Sequence, residues 1–183
     1  MSSSPAGIDC RSGSQSNCKS TYDGGSQVTL TASADAGSTF AGWSGGGCSG
    51  IAPCAVTVDA AKSVDARFTD DPPVIASLEV SPRSFSPDPT PVKPRKLGAT
   101  LTIDLSEQAS VRFRVRRSPA RKSGNPGSTA RVFTRDLPAG TSSIPFSGTF
   151  RKTLLPGRYQ VIAIATDSAG QPSEKARAKF QVK

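Results

Sequence analysis

Four cysteines, a run of arginines and a set of isolated carboxylates are the residues of this chain that could do chemistry. Histidine is absent. Its absence removes the usual general base, the Ser–His and Cys–His nucleophile pairs and the commonest zinc ligand. A hydrolase could still work with paired carboxylates, but Asp9, Asp23, Asp35, Asp59 and Asp167 stand singly in turn-like settings, where a capping or turn role is usual. The sequence therefore predicts no enzyme activity, no catalytic residues, no cofactor and no metal site.

Cys10, Cys18, Cys48 and Cys54 all fall within the first third of the chain, with seven intervening residues in one spacing and five in the other. Zinc hooks are shorter, and no histidine is available to complete one, so structural disulfides are the expectation. Four cysteines allow three connectivities.

The arginines lie in Val111-Arg112-Phe113-Arg114-Val115-Arg116-Arg117, with Arg121 and Lys122 continuing the charge into the next loop. Strand alternation sends Val111, Phe113 and Val115 inward and Arg112, Arg114 and Arg116 outward, at about 6.5–7 Å intervals that suit an anionic polymer. The competing expectation is edge protection, in which solvated arginines keep one sheet from pairing with another. A specific nucleic-acid reader would interleave exposed aromatics or present a recognition helix; neither is legible. An anionic polysaccharide or cell-wall polymer is the partner the stripe suggests, alongside other domains of a parent protein.

Charge divides unevenly along the chain. Residues 1–71 carry four Lys/Arg against seven Asp, a net −3, so the remaining 19 basic and 7 acidic residues place residues 72–183 at +12. Such a field favours attraction to anionic polymers and says nothing about fold. No run of about 18 apolar residues could cross a membrane as a helix, so no membrane insertion is expected.

Everything that must position these residues reads as β-structure. Val28, Leu30 and Ala32 alternate with polar residues, as do Val56 and Val58, and then Val64, Ala66 and Phe68. Between the first two pairs, residues 37–48 are glycine-dense and hold the only Trp, so Trp43 is read as the pin of a small core. Residues 1–27 read as irregular, ordered by a covalent clip. Asp70-Asp71-Pro72-Pro73 forms a polar, stiff spacer. Beyond it, seven alternating segments at 74–80, 99–105, 111–116, 131–137, 141–150, 159–165 and 176–182 predict an antiparallel β-sandwich. Residues 81–96, with five prolines, read as a long surface loop or edge segment.

Several pieces carry a resemblance: Ser-Pro-Ala-Gly-Ile-Asp-Cys at 4–10, Cys18, Val28 to Ala32, Gly37 to Ser44, Cys48, Cys54, and Asp59-Ala-Ala-Lys-Ser-Val-Asp-Ala-Arg-Phe68. Together they resemble the divergent internalin B-type repeat (B-repeat) of bacterial surface proteins, over roughly the first seventy residues. That family implies a small β-grasp-like module with no catalytic residues, and it suggests the local pairing Cys10–Cys18 and Cys48–Cys54. The repeat usually opens with a valine-rich strand before the Ser-Pro-Ala-Gly segment, so a first strand is expected to be cut away here. Leu155-Pro-Gly-Arg-Tyr-Gln-Val161 with Ala165-Thr-Asp-Ser-Ala-Gly170 is similar to the penultimate-strand region of bacterial Ig-like and fibronectin type III-like modules, which makes Tyr159 a corner tyrosine.

The resulting organisation is a repeat domain at 1–70, a linker at 71–73 and an Ig-like β-sandwich at 74–183. The expected function is that of a non-catalytic extracellular module pair of a larger bacterial secreted or cell-surface protein, adhesive or spacing. The alternative is a binding module for acidic glycans or cell-wall polymers appended to a secreted enzyme. Because the cysteines point to export while the N-terminus lacks a signal peptide, Met1 is read as an added start on an excised segment.

Overall fold

A computed structural model describes residues 1–11, 16–87, 98–118, 129–149 and 153–183. The described residues are all-β, without a helix. They divide into two compact units, Met1–Asp71 and Pro72–Lys183.

The first unit holds β1 (Ser2–Ser4), β2 (Gln27–Thr31), β3 (Ser38–Ser44), β4 (Cys54–Thr57) and β5 (Asp65–Asp70). The order β1-β2-β4 makes an antiparallel three-stranded sheet, and β3 pairs with β5 in a second, two-stranded one. Alternation in β2 sends Val28 and Leu30 into a core shared with Trp43, Cys48 and Val56. β1 corrects the expectation of irregular chain at the start. A Ser-Ser-Ser run has no apolar alternation to betray it, and backbone pairing to Thr29–Thr31 makes it a strand. The Ser3 hydroxyl then lies 2.7 Å from that of Tyr22.

Trp43 sits 5% exposed at the end of β3 and donates its indole N–H to the Ala52 carbonyl at 2.8 Å. Phe40 meets it edge-on, with ring centroids 5.0 Å apart. The chain leaves Trp43 through Gly45, Gly46 and Gly47, at φ of +81°, +57° and +88°. A Cβ on Gly45 would stand 2.6 Å from the Ser63 carbonyl oxygen, so this turn requires glycine for both its backbone conformation and its space.

The second unit holds β6 (Ile75–Ser81), β7 (Ser84–Phe85), β8 (Ala99–Leu105), β9 (Ala109–Arg117), β10 (Thr129–Leu137), β11 (Gly140–Phe146), β12 (Gly157–Thr166) and β13 (Ala176–Val182). One sheet runs β11-β8-β6 and the other β10-β9-β12-β13-β7, all antiparallel except the β13–β7 pair. The two sheets form a β-sandwich whose first strand is split between them. β7 lies inside the proline-rich segment read as loop or edge; residues 88–97 of that segment lie outside the described residues.

Its core joins both sheets: Leu101, Ile103 and Ile144 on one side, Val111, Phe113, Val115, Val161 and Ala163 on the other, most of them at 0% exposure. Each of the Val, Leu, Ile and Phe side chains among them contributes about 1.5–3 kcal/mol on burial. Phe85, Phe146, Tyr159 and Phe180 stack into one aromatic cluster at centroid separations of 5.3–5.9 Å. The Tyr159 hydroxyl emerges from this cluster to donate to the Leu155 carbonyl at 2.8 Å, the back-bond of a corner tyrosine.

Candidate functional site

The cysteines close two local loops, Cys10–Cys18 and Cys48–Cys54, and no described cysteine is free. The second loop carries Ala52, so one covalent bond and the Trp43 indole hold the same short segment. The single carboxylates sit in local turns. The Asp23 and Asp35 carbonyls accept from the backbone N–H groups of Ser26 and Ser38, three residues on. Asp167, 9% exposed, accepts the Gln171 N–H at 2.8 Å. Asp9 pairs with Arg11 at 3.4 Å. Asp59 lies 2.6 Å from the Lys62 ammonium, and this hydrogen bond and charge hold its carboxyl below the usual carboxylate range. Among the described residues no three of His, Cys, Asp or Glu gather to hold a metal ion.

A cleft of about 670 Å³ opens in the first unit between Met1, Ile8, Tyr22, Val28, Val58 and Val64. Its walls are chiefly aliphatic.

The arginine stripe has a different setting from the one the sequence suggested. β9 is paired on both sides, to β10 and to β12, so its arginines do not shield an edge. They stand on the outer face of a five-stranded sheet, because Val111, Phe113 and Val115 fill the inner face at 0% exposure. Arg112 and Arg114 are exposed; Arg116 is half-buried, and its Nε has no hydrogen-bond partner among the described residues. Arg117 falls on the other parity and leaves the row. Its guanidinium donates to the Pro156 carbonyl at 2.8 Å, closing one end of the sandwich beside Gly157. Arg121 and Lys122 lie outside the described residues.

Register supplies what sequence reasoning missed. Arg114 pairs across to Ile162, which pairs on to Arg177; Arg116 pairs to Gln160, which pairs on to Lys179. Arg112 faces Ile164, and Arg158 lies further along β12 opposite Gln181. Arg158, Arg177 and Lys179 are all exposed. Their outward direction was readable from alternation in 157–166 and 176–182; their adjacency to Arg112, Arg114 and Arg116 was not. The outward positions of β9, β12 and β13 hold six cations and no carboxylate, the closest acidic residue on this face being Asp136, opposite Ser110 on β10.

Comparison with known proteins gives three results. The family described as divergent InlB B-repeat domain matches residues 9–72. No curated protein matches the chain. Among solved structures, the chain is similar to the soluble domain of PmoD from Methylocystis sp. ATCC 49242 (Rockwell), at 20% identity over 55% of this chain and 78% of that one, with a TM-score of 0.32, too slight a likeness to bear on function.

Proposed function

We propose that the chain is a non-catalytic module pair of a larger bacterial secreted or cell-surface protein, serving as an adhesive or spacing segment. The observation that carries this reading is the coincidence of the B-repeat match at 9–72 with two disulfides inside those residues. Disulfides persist in oxidising compartments, and a small core gains most from them. Three of the carboxylates that sequence singled out support the same reading from the other direction, since Asp9 and Asp59 are held in local ion pairs and Asp167 accepts a backbone N–H.

In the organism of origin, antibody against the chain should label intact cells or the culture medium, and the recovered protein should take up thiol reagent only after reduction. A cytoplasmic pool with reactive thiols would overturn the proposal. A second reading, a module that binds acidic glycans, is favoured by one observation: the carboxylate-free cationic face on β9, β12 and β13.

A further inference from the structure

On the reading of the chain as a non-catalytic module, we infer that the outer face of the five-stranded sheet is a two-railed trough that binds a linear anionic polysaccharide lying parallel to β12. One rail is Arg112, Arg114 and Arg116 on β9; the other is Arg177 and Lys179 on β13, with Arg158 of β12 at the far end. Between the rails lie Ile164, Ile162 and Gln160, all half-buried. With strands about 4.8 Å apart, the rails stand about 9.5 Å from each other, and successive cations along each are about 6.6–6.8 Å apart. Arginine and lysine stems outreach isoleucine, so the cationic heads rise on either side of a low aliphatic floor.

This arrangement selects among anionic polymers. Carboxylates or sulfates projecting from both sides of a saccharide chain meet guanidinium groups that can bond them bidentately, while the C–H faces of the rings rest on isoleucine. Nucleobases find no stacking platform here, because the outward position on β10 next to Arg114 is Val132, while Phe133 stacks inward on Phe113 at 4.9 Å. A peptide cannot add as a strand, because β9 and β12 are paired on both edges. The cations themselves are uncommitted: none of the six makes an ion pair with a described residue.

The test uses the full chain with a sulfated glycosaminoglycan, a polyuronate, a neutral glucan and single-stranded DNA, followed by titration calorimetry at low and at high salt. Polymer length is measured by size exclusion before and after. Either anionic glycan should bind, with affinity falling as salt screens the contacts, and the neutral glucan should not. Comparing the sulfated and carboxylated glycans identifies which anion the rails prefer. Arg114→Glu with Arg177→Glu, one change on each rail, should weaken binding by roughly tenfold or more per lost charged contact. Lys19→Glu with Arg67→Glu makes the same change in net charge within the first unit, outside the five-stranded sheet, and should weaken binding only slightly. Circular dichroism checks that each variant is folded, and Arg114→Lys with Arg177→Lys gives a milder pair that retains the charge. Equal losses in the two charge-reversal pairs, DNA binding as tight as glycan binding, or no glycan binding at low salt would overturn the trough. Shortening of the bound polymer would instead overturn the non-catalytic reading while leaving the trough in place.

Discussion

Removing the Cys48–Cys54 bond by Cys48→Ala with Cys54→Ala should destabilise the first unit selectively. A sequence separation of 6 corresponds to a loop-closure contribution of about 2.2 kcal/mol, and the separation of 8 at Cys10–Cys18 to about 2.5 kcal/mol. A unit of 71 residues has a total stability of roughly 4–11 kcal/mol. Losing one bond therefore lowers the melting point by roughly 10–18 °C, and losing both removes about 4.7 kcal/mol, at least two-fifths of that stability. The assay is intrinsic fluorescence, since Trp43 is the only Trp, lies in this unit and is held against Ala52 inside the affected loop. Emission should shift to the red at the lower temperature. The second unit contains no cysteine, so far-UV circular dichroism should still record a later transition from its sheets. A Trp43 midpoint that does not move when the bond is removed would refute the loop-entropy reasoning and assign the stability to packing around the indole alone.

Two further outcomes follow from individual side chains. Tyr159→Phe deletes the hydroxyl that reaches Leu155 and should cost the second unit about 1 kcal/mol in urea unfolding, with an unchanged midpoint excluding a structural role for that bond. Asp59, whose carboxyl is depressed by Lys62, adds stability that is present above its unfolded pKa and lost as pH falls through its lower folded pKa; NMR titration of the native protein should place its midpoint below that of an unstructured Asp peptide, and Lys62→Ala should remove the difference.

Local periodicity made most of the sandwich readable. Val111, Phe113 and Val115 announce a strand with one buried face, and so do Val161, Ala163 and Ala165, because burial on one side of a pleated strand leaves a two-residue signature in the chain itself. Tyr159 was readable for the same reason, helped by the Pro-Gly turn before it. β1 and β7 were not. One is three serines and the other a single Ser-Phe step, and both exist because a neighbouring strand offers them backbone partners. The edge-protection expectation failed on the same ground. Whether β9 stands at the border or in the middle of a sheet depends on which distant segments pair with it, and alternation within β9 is identical in either case. The candidate face was half readable: each of its cations can be seen to point outward, whereas their assembly into two rails needs the register of β9, β12 and β13.

The division of the first strand of the sandwich has a mechanical consequence. β7 runs parallel to β13, at Ser84–Phe85 against Gln181–Val182, and the pairing is extended by bonds from the Gln181 N–H to the Arg83 carbonyl and from the Lys183 N–H to the Phe85 carbonyl. Tension applied between the chain before β6 and the chain after β13 pulls these two parallel strands in opposite directions along their common axis. Their hydrogen bonds are then loaded together in shear instead of being peeled apart one at a time, as an antiparallel hairpin pulled from its open end would be. A unit fastened in this way resists extension at the point where force enters and leaves it, and the aromatic cluster of Phe85, Phe146, Tyr159 and Phe180 lies directly behind that fastening.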